Sequence, residues 1–261
     1  MRGILTDCIA EMVDRKVLWI YAVVTVIGIL SVVVSRSIEL QFQTEGMELQ
    51  QMNEMLGNPL MKGYNSFMYF LVFLSVLATA GLVPNMLSRG RADFYLSKPL
   101  SRRALLLNKV FAIWVVYGAI MVLVMLIEFV VGGLVYGMYD SGIVYIILTN
   151  LLAFFIWLSV TAFAGVLSGS GAMSMMAAFL VWVLQKILAF HGSINELIDA
   201  PIVEKIIDGL YYVVPKTGEI SDLADSLVGG NSVDWMPLYS SLAFAVVLLY
   251  VTVCIFNRKD Y

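Results

Sequence analysis

Six long apolar runs constrain this chain more than any other feature of its sequence. A helix needs about 20 apolar residues to cross roughly 30 Å of hydrocarbon. Runs of that order are Val17–Ser35, Phe67–Leu87, Val110–Tyr136, Ile143–Leu167, Ala172–Phe190 and Met236–Phe256. They predict an all-α integral membrane protein with six transmembrane helices, organised as one transmembrane domain over residues 1–261.

Composition agrees with a membrane protein and excludes several other classes. The chain is 61% hydrophobic and 13% charged, against about 45–50% and 25% in soluble domains. This excludes an ordinary cytosolic enzyme, a disordered chain and a nucleic-acid-binding domain. Two cysteines at opposite ends, Cys8 and Cys254, and one histidine, His191, predict neither a disulfide framework nor a metal site.

The distribution of Lys and Arg predicts the orientation. Most of them lie before the first run, between the second and third runs, and after the sixth. Because positive charge accumulates on the cytoplasmic side, we expect both termini in the cytoplasm and a multi-pass protein of the inner (cytoplasmic) membrane.

Residues 1–16 have the pattern of an amphipathic helix. Apolar residues at helical spacing are Ile4, Leu5, Cys8, Ile9, Met12 and Val13, and the other face carries Arg2, Asp7, Glu11, Asp14 and Arg15. Such a helix is too polar to cross the bilayer, and its direct fusion to a span favours an elbow helix lying in the interface. The alternative is a simple cytosolic cap helix.

The segment 88–109 is strongly basic. It carries Arg89, Arg91, Lys98, Arg102, Arg103 and Lys109 against one acid, Asp93. Ala92–Leu96 could form a short helix that ends before Pro99, and Ser101 could cap the next helix. The loop could serve only topology and anionic lipid, or it could dock a cytoplasmic partner.

Two longer segments, 36–66 and 191–235, are predicted to lie on the outer side. The first suits either a solvated cap or a contact surface for an extracytoplasmic partner. In the second, short amphipathic stretches broken at Pro201 and Pro215 and ended by Gly229-Gly230 predict outer helices that rest on the interface or dip partly into it.

Glu128 is the only acid well inside a predicted span. A charge at the bilayer centre costs about 2.5–3.5 kcal/mol on insertion scales. We therefore expect it to face the bundle or a water-filled path, where it could act in transport, or to be merely tolerated.

The loop resembles the corresponding stretch of membrane subunits of type 2 ATP-binding-cassette (ABC) transporters. The matching residues are Leu96, Pro99, Leu100, Ser101, Arg102 and Lys109. The order of features also fits: an elbow helix, six spans, a basic loop between spans two and three, outer helices before the sixth span, and the ending 256–261. The start of the loop, Ser88–Arg91, departs from the Glu-rich start of many relatives.

The resemblance implies a coupling helix that sits in a cleft of a separate ATPase subunit. The coupling residues would be Arg91, Asp93, Phe94, Tyr95, Leu96, Pro99 and Arg102. It also implies pairing with a second permease copy or a paralogue, with two cytoplasmic ABC ATPases below. ATP and Mg would bind to the ATPases and no cofactor to this chain, which carries no G-x-x-x-x-G-K-[ST] phosphate loop.

The sequence thus predicts a transport subunit without catalytic or metal-binding residues. Its function would be to move substrate outward through a permease dimer by alternating access. Two alternatives stay open: an ATP-independent scaffold or assembly factor that recruits partners through its outer segments, and a secondary transporter. The second is weakened by the lack of buried charge pairs and of an internal repeat.

Overall fold

The computed structural model describes residues 2–44, 59–87, 101–189 and 201–259. Within these ranges the chain forms helices and no strand. The helices are α1 (Arg2–Asp14), α2 (Val17–Thr44), α3 (Pro59–Thr79), α4 (Leu82–Met86), α5 (Arg102–Tyr136), α6 (Ile143–Ser168), α7 (Gly171–Leu188), α8 (Pro201–Val213), α9 (Thr217–Val228) and α10 (Met236–Arg258).

Six stretches of the described residues are long and apolar enough to cross a membrane, which confirms the predicted number. They are Val17–Ser37, Leu60–Met86, Arg102–Tyr136, Ile143–Ser168, Gly171–Leu188 and Met236–Arg258. Helices suit this environment because all their backbone hydrogen bonds close within the segment. We call the end of the bundle that carries residues 2 and 259 the terminal end, and the opposite end the far end.

Two predicted boundaries are wrong by about two helical turns. The segment 36–66 is shorter than predicted, because α2 continues to Thr44 and α3 already begins at Pro59. Proline suits the first position of a helix, where no N–H partner is lost. The helix predicted within 45–56 lies outside the described residues.

The basic segment 88–109 ends in a helix, as a cap at Ser101 implies. Residues 102–109 form the first two turns of α5. Ser101 caps this helix as expected: its Oγ accepts a hydrogen bond from the Ala104 N–H at 3.3 Å. The short helix predicted over Ala92–Leu96 lies outside the described residues.

The predicted turn between the fourth and fifth spans is confirmed. Gly169 ends α6 with a φ of 66°, a left-handed conformation that glycine adopts without strain. Its N–H bonds the carbonyl of Gly165 at 2.8 Å. The following helix, α7, leaves large apolar side chains such as Phe179 and Leu180 exposed, as suits a surface that meets lipid.

The outer helices follow the proline and glycine signals. α8 begins at Pro201, and α9 ends with Gly229 as its C-cap. α9 packs its apolar face into the bundle: Ile220 and Leu223 form one cluster with Ile156 of α6 and with Leu238 and Ala245 of α10. It therefore dips between the spans, the deeper of the two predicted placements. The stripe predicted at 194–198 lies outside the described residues.

Candidate functional site

Most of the residues predicted to couple to an ATPase lie outside the described residues: Arg91, Asp93, Phe94, Tyr95, Leu96 and Pro99. The structure does describe where this segment leaves and re-enters the bundle. It departs after α4 at the terminal end and returns at Ser101. Arg102, the last of the predicted coupling residues, is the first residue of α5.

Arg102 joins the ends of three long helices. Its Nη1 donates to the carbonyl of Lys259, the residue that caps α10, at 2.7 Å. Lys259 Nζ in turn donates to the carbonyls of Val166 and Leu167, at 2.8 and 2.7 Å. These two carbonyls belong to the last turn of α6, where helix geometry leaves them without a partner in the helix. We call Arg102, Lys259, Val166 and Leu167 the terminal junction.

A second polar connection fixes α1 to the same helix. Lys109 is 1% exposed, and its Nζ lies 2.8 Å from Asp7 Oδ2 and 2.9 Å from Glu11 Oε2. Asp7 and Glu11 are one turn apart on α1, so one ammonium reaches both. The burial of Cys8 between them raises the pKa of its thiol. We call Lys109, Asp7 and Glu11 the elbow triad.

The elbow triad corrects the sequence interpretation at two points. Lys109 was assigned to a basic loop and is instead buried in α5. Asp7 and Glu11 were assigned to the polar face with Arg2, Asp14 and Arg15, and instead turn toward α5. On the apolar side Ile4, Cys8 and Met12 are buried, whereas Ile9 and Val13 stay exposed. The interfacial placement of α1 stays a prediction.

Glu128 lies inside the bundle rather than toward lipid. Its side chain is 1% exposed, and neither carboxylate oxygen has a hydrogen-bond partner among the residues that the structure describes. The carboxylate rests against Gly28 of α2, where a Cβ would overlap with Oε1 and with the ring of Phe67. Three helices, α2, α3 and α5, therefore enclose an acid without a counter-ion.

A cavity opens near Glu128 toward the far end. The Tyr64 hydroxyl donates to the backbone carbonyl of Glu128 at 3.3 Å, and Tyr64 also lines a cavity of about 450 Å³. The other lining residues are Leu60, Met61, Phe129, Met138, Tyr139, Asp140 and Ser141. The side chain of Tyr64 thus stands between this cavity and the helical turn that carries Glu128.

At the far end a chain of amides joins α6, α3 and α9. Asn150 Nδ2 donates to Asn65 Oδ1 at 3.0 Å, and Asn65 Nδ2 donates to Asp225 Oδ1 at 2.9 Å. Asn65 Nδ2 also lies 2.8 Å from the carbonyl of Ser221. Burial raises the pKa of Asp225, although the hydrogen bond from Asn65 opposes that shift. We call Asn150, Asn65 and Asp225 the amide chain.

The amide chain had no counterpart in the sequence interpretation. The sequence placed Asn65 in an outer segment and Asn150 in an apolar run, and it predicted no interaction for either side chain. A polar residue at a buried position of a span is the available signal, because in lipid it must find a partner within the protein. The partner itself lies 160 positions away, from Asn65 to Asp225, and no local pattern indicates it.

The described residues contain no group of three or more His, Cys, Asp or Glu side chains that could hold a metal ion. The candidate site consists of the segment that enters α5, the terminal junction and the elbow triad beside it, and an enclosed acid further along the same helix.

Comparison with known families agrees with this arrangement. A family described as "ABC-2 family transporter protein" matches residues 7–261, nearly the whole chain. No curated protein matches the chain significantly.

Proposed function

The chain belongs to the ABC-2 transporter family, and on that premise we propose that it is the permease subunit of an exporter. Two permeases would form the pathway, and two separate ABC ATPases would bind at the terminal end, which we place in the cytoplasm. Closure of the ATPases would drive alternating access. The family and the multi-pass membrane character are established; the direction, the pairing and the orientation are the proposal.

The observation that carries this proposal is the rigid attachment of α5 directly after the basic segment. A segment that transmits force must be attached to a helix that cannot move independently of its neighbours. Through Arg102 and Lys259, α5 is bonded to the ends of α10 and α6. Through Lys109 it is bonded to α1, two turns further along. A push on residues 88–101 would therefore move four helices together.

Docking of the segment is tested on its apolar side chains. Apolar groups in a cytosolic loop need a partner to cover them, and truncating such an anchor often costs more than about 2 kcal/mol of binding energy. We expect Phe94→Ala with Tyr95→Ala to insert normally but to lose copurification with the ATPase, or to hydrolyse ATP without transport.

Lys98→Arg is the matched control, because it keeps the charge and should change neither binding nor transport. If the double variant binds its ATPase and transports like the wild type, the segment is only topogenic. Loss of binding would also separate a transporter from an ATP-independent scaffold and from a secondary transporter.

Glu128 supports a polar path through each permease. A carboxylate enclosed in the membrane without a counter-ion is costly. The Tyr64 hydroxyl donates to the backbone carbonyl of Glu128, and the side chain of Tyr64 lines a cavity. We expect Glu128→Gln to assemble normally and to change the transport-linked ATPase rate about tenfold, equivalent to about 1.4 kcal/mol. Glu128→Met is the apolar control. If both variants transport like the wild type, the acid has no role in the path.

A further inference from the structure

A small cavity at the far end is lined by two lysines from different elements. It has a volume of about 90 Å³, enough for several water molecules. Lys186 comes from the last turn of α7 and Lys216 directly precedes α9. The remaining walls are Gln185, Leu188, Ala189, Tyr211, Val214, Pro215, Gly218, Glu219 and Asp222.

Lys216 is buried without a counter-ion. Its side chain is 5% exposed, and Nζ donates to Ser240 Oγ at 3.2 Å and lies 4.4 Å above the ring centre of Tyr211. Among the described residues no carboxylate forms an ion pair with it. Burial accordingly lowers the pKa of Lys216, against a weaker opposing effect of Glu219. A buried ammonium that lacks a partner is costly unless an anion compensates it.

Further donors at the cavity also lack acceptors. The Nε2 atom of Gln185 is buried and has no hydrogen-bond partner among the residues described, while its Oε1 accepts from Thr217 Oγ1 at 2.8 Å. Lys186 Nζ lies close to Gly218, in the first turn of α9. If Gly218 carried a Cβ atom, that atom would be 3.8 Å from Nζ. The N-terminus of a helix adds a favourable field for negative charge.

The acids at the cavity are satisfied in other ways. Glu219 Oε2 accepts a hydrogen bond from the Tyr211 hydroxyl at 3.0 Å. Asp222 is exposed to solvent, which screens its charge more than that of a buried group. Lys216 is therefore a buried positive charge at this cavity that forms no ion pair with a described residue, although Glu219 lies close enough to favour its charged form.

We propose that this cavity binds a single oxyanion group of the phosphate type, held by Lys216 and Lys186 with the amide of Gln185. Such a group can come from the headgroup of an anionic lipid in the leaflet at the far end or from a free anion. Tyr211 and Tyr212 stand beside the cavity, and tyrosines are enriched at the headgroup level of bilayers. The inference does not depend on the direction of transport or on ATP.

The test is ligand-induced stabilisation of the full chain without its ATPase, since a ligand that binds only the folded state raises the unfolding midpoint. One arm compares vesicles of phosphatidylcholine with vesicles that contain equal parts of phosphatidylcholine and phosphatidylglycerol. The other arm adds inorganic phosphate to protein in a neutral detergent. Both arms use the wild type, Lys216→Gln, Lys186→Gln and Lys205→Gln.

We expect at least one probe to stabilise the wild type and to bind about tenfold more weakly to the Lys216 and Lys186 variants, the effect of losing one charge-assisted hydrogen bond. Lys205→Gln is the control, because it removes the same charge from an exposed position on α8 and should respond like the wild type. A response to phosphate would assign a free-anion site, and a response only to phosphatidylglycerol would assign a lipid headgroup site.

Lys186→Gln keeps the test decisive if Lys216→Gln fails to fold, because Lys186 is exposed and makes no ion pair with the residues described. The proposal is overturned if neither probe stabilises the wild type. It is also overturned if every probe that stabilises the wild type stabilises Lys186→Gln equally.

Discussion

The two ends of the bundle are held together by different chemistry. At the terminal end the connections are ionic or made by charged donors, through Lys109 in the elbow triad and through Arg102 and Lys259 in the terminal junction. At the far end the amide chain connects α6, α3 and α9 by hydrogen bonds from neutral side chains. The buried ion pairs of the elbow triad thus lie at the terminal end, whereas the far end combines the amide chain with one charged donor, Lys216, which bonds Ser240 of α10.

The difference follows from what breaking each connection costs. Removing one partner of a buried ion pair costs about 3–5 kcal/mol, because a charge stays buried without compensation. A hydrogen bond between neutral groups, such as that from Asn150 to Asn65, contributes about 0.5–1.5 kcal/mol net, and one to a charged group such as the Asp225 carboxylate about 1.5–3 kcal/mol. In our proposal the terminal end receives the force of the ATPases and must not yield, whereas the far end must open for substrate to leave. The observed distribution of charge suits both demands.

The largest expected effect comes from breaking the elbow triad. Lys109→Met leaves Asp7 and Glu11 facing an apolar side chain, and we expect it to lower the free energy of unfolding by about 3 kcal/mol. That is the low end of the range, because Asp7 is 35% exposed and can recover some water. Thermal unfolding followed by loss of helical circular dichroism measures it.

Two further variants sharpen this test. Arg103→Met removes an exposed charge from the same helix and should unfold like the wild type. Lys109→Met combined with Asp7→Asn and Glu11→Gln should recover much of the lost stability, because no charge then remains without a partner. A single Lys109→Met variant as stable as the wild type would mean that the triad does not hold α1 in place.

A smaller loss is expected from the amide chain. Asn65→Leu leaves Asp225 and Asn150 without their partner, which should cost about 1–3 kcal/mol. Asn231→Leu, at an exposed position near the same end, is the control for adding an apolar group. If Asn65→Leu destabilises the protein as much as Lys109→Met does, the two ends are equally firm and the proposed contrast is wrong.

The smallest expected effect is a pH dependence at the far end. Because the pKa of Asp225 is raised in the fold, the folded protein holds this proton more tightly than the unfolded chain does. Its contribution to the free energy of unfolding therefore falls as pH rises above the ordinary value of about 3.9. Asp225→Asn should remove that fall, so the unfolding midpoint of the variant should gain on the wild type between about pH 4 and pH 7. If the unfolding midpoints of the wild type and of Asp225→Asn change with pH in parallel, the pKa of Asp225 is not raised in the folded protein.

Local patterns predict much of this fold. The spans follow from apolar runs because the bilayer sets their length, and Ser101, Gly169, Pro201 and Gly229 each mark a helix boundary through their own backbone chemistry. The two boundaries that sequence reasoning misplaced, at Thr44 and Pro59, have a common cause. A helix can continue past the hydrocarbon with polar residues, so hydropathy ends before the helix does.

The connections between helices could not be predicted in the same way. Lys109 forms its ion pairs with residues that are 98 and 102 positions away in the sequence. Because it follows a basic loop, its sequence position suggests only a role in setting the orientation of the chain in the membrane. Glu128 was identified because a lone acid in a span is conspicuous, but the helices that enclose it were not. Pairing across the bundle depends on helix rotation and packing, which the sequence of one helix does not specify.

The close fit of Gly28 to Glu128 has an evolutionary consequence. A side chain at position 28 would overlap with the carboxylate and with Phe67, so position 28 cannot take a larger residue while Glu128 and Phe67 keep their places. We expect homologues that carry alanine or a larger residue at 28 to carry a smaller residue at 128, and those that retain the acid to retain the glycine. In an alignment of the family, positions 28 and 128 would then covary, although 100 residues separate them in the sequence.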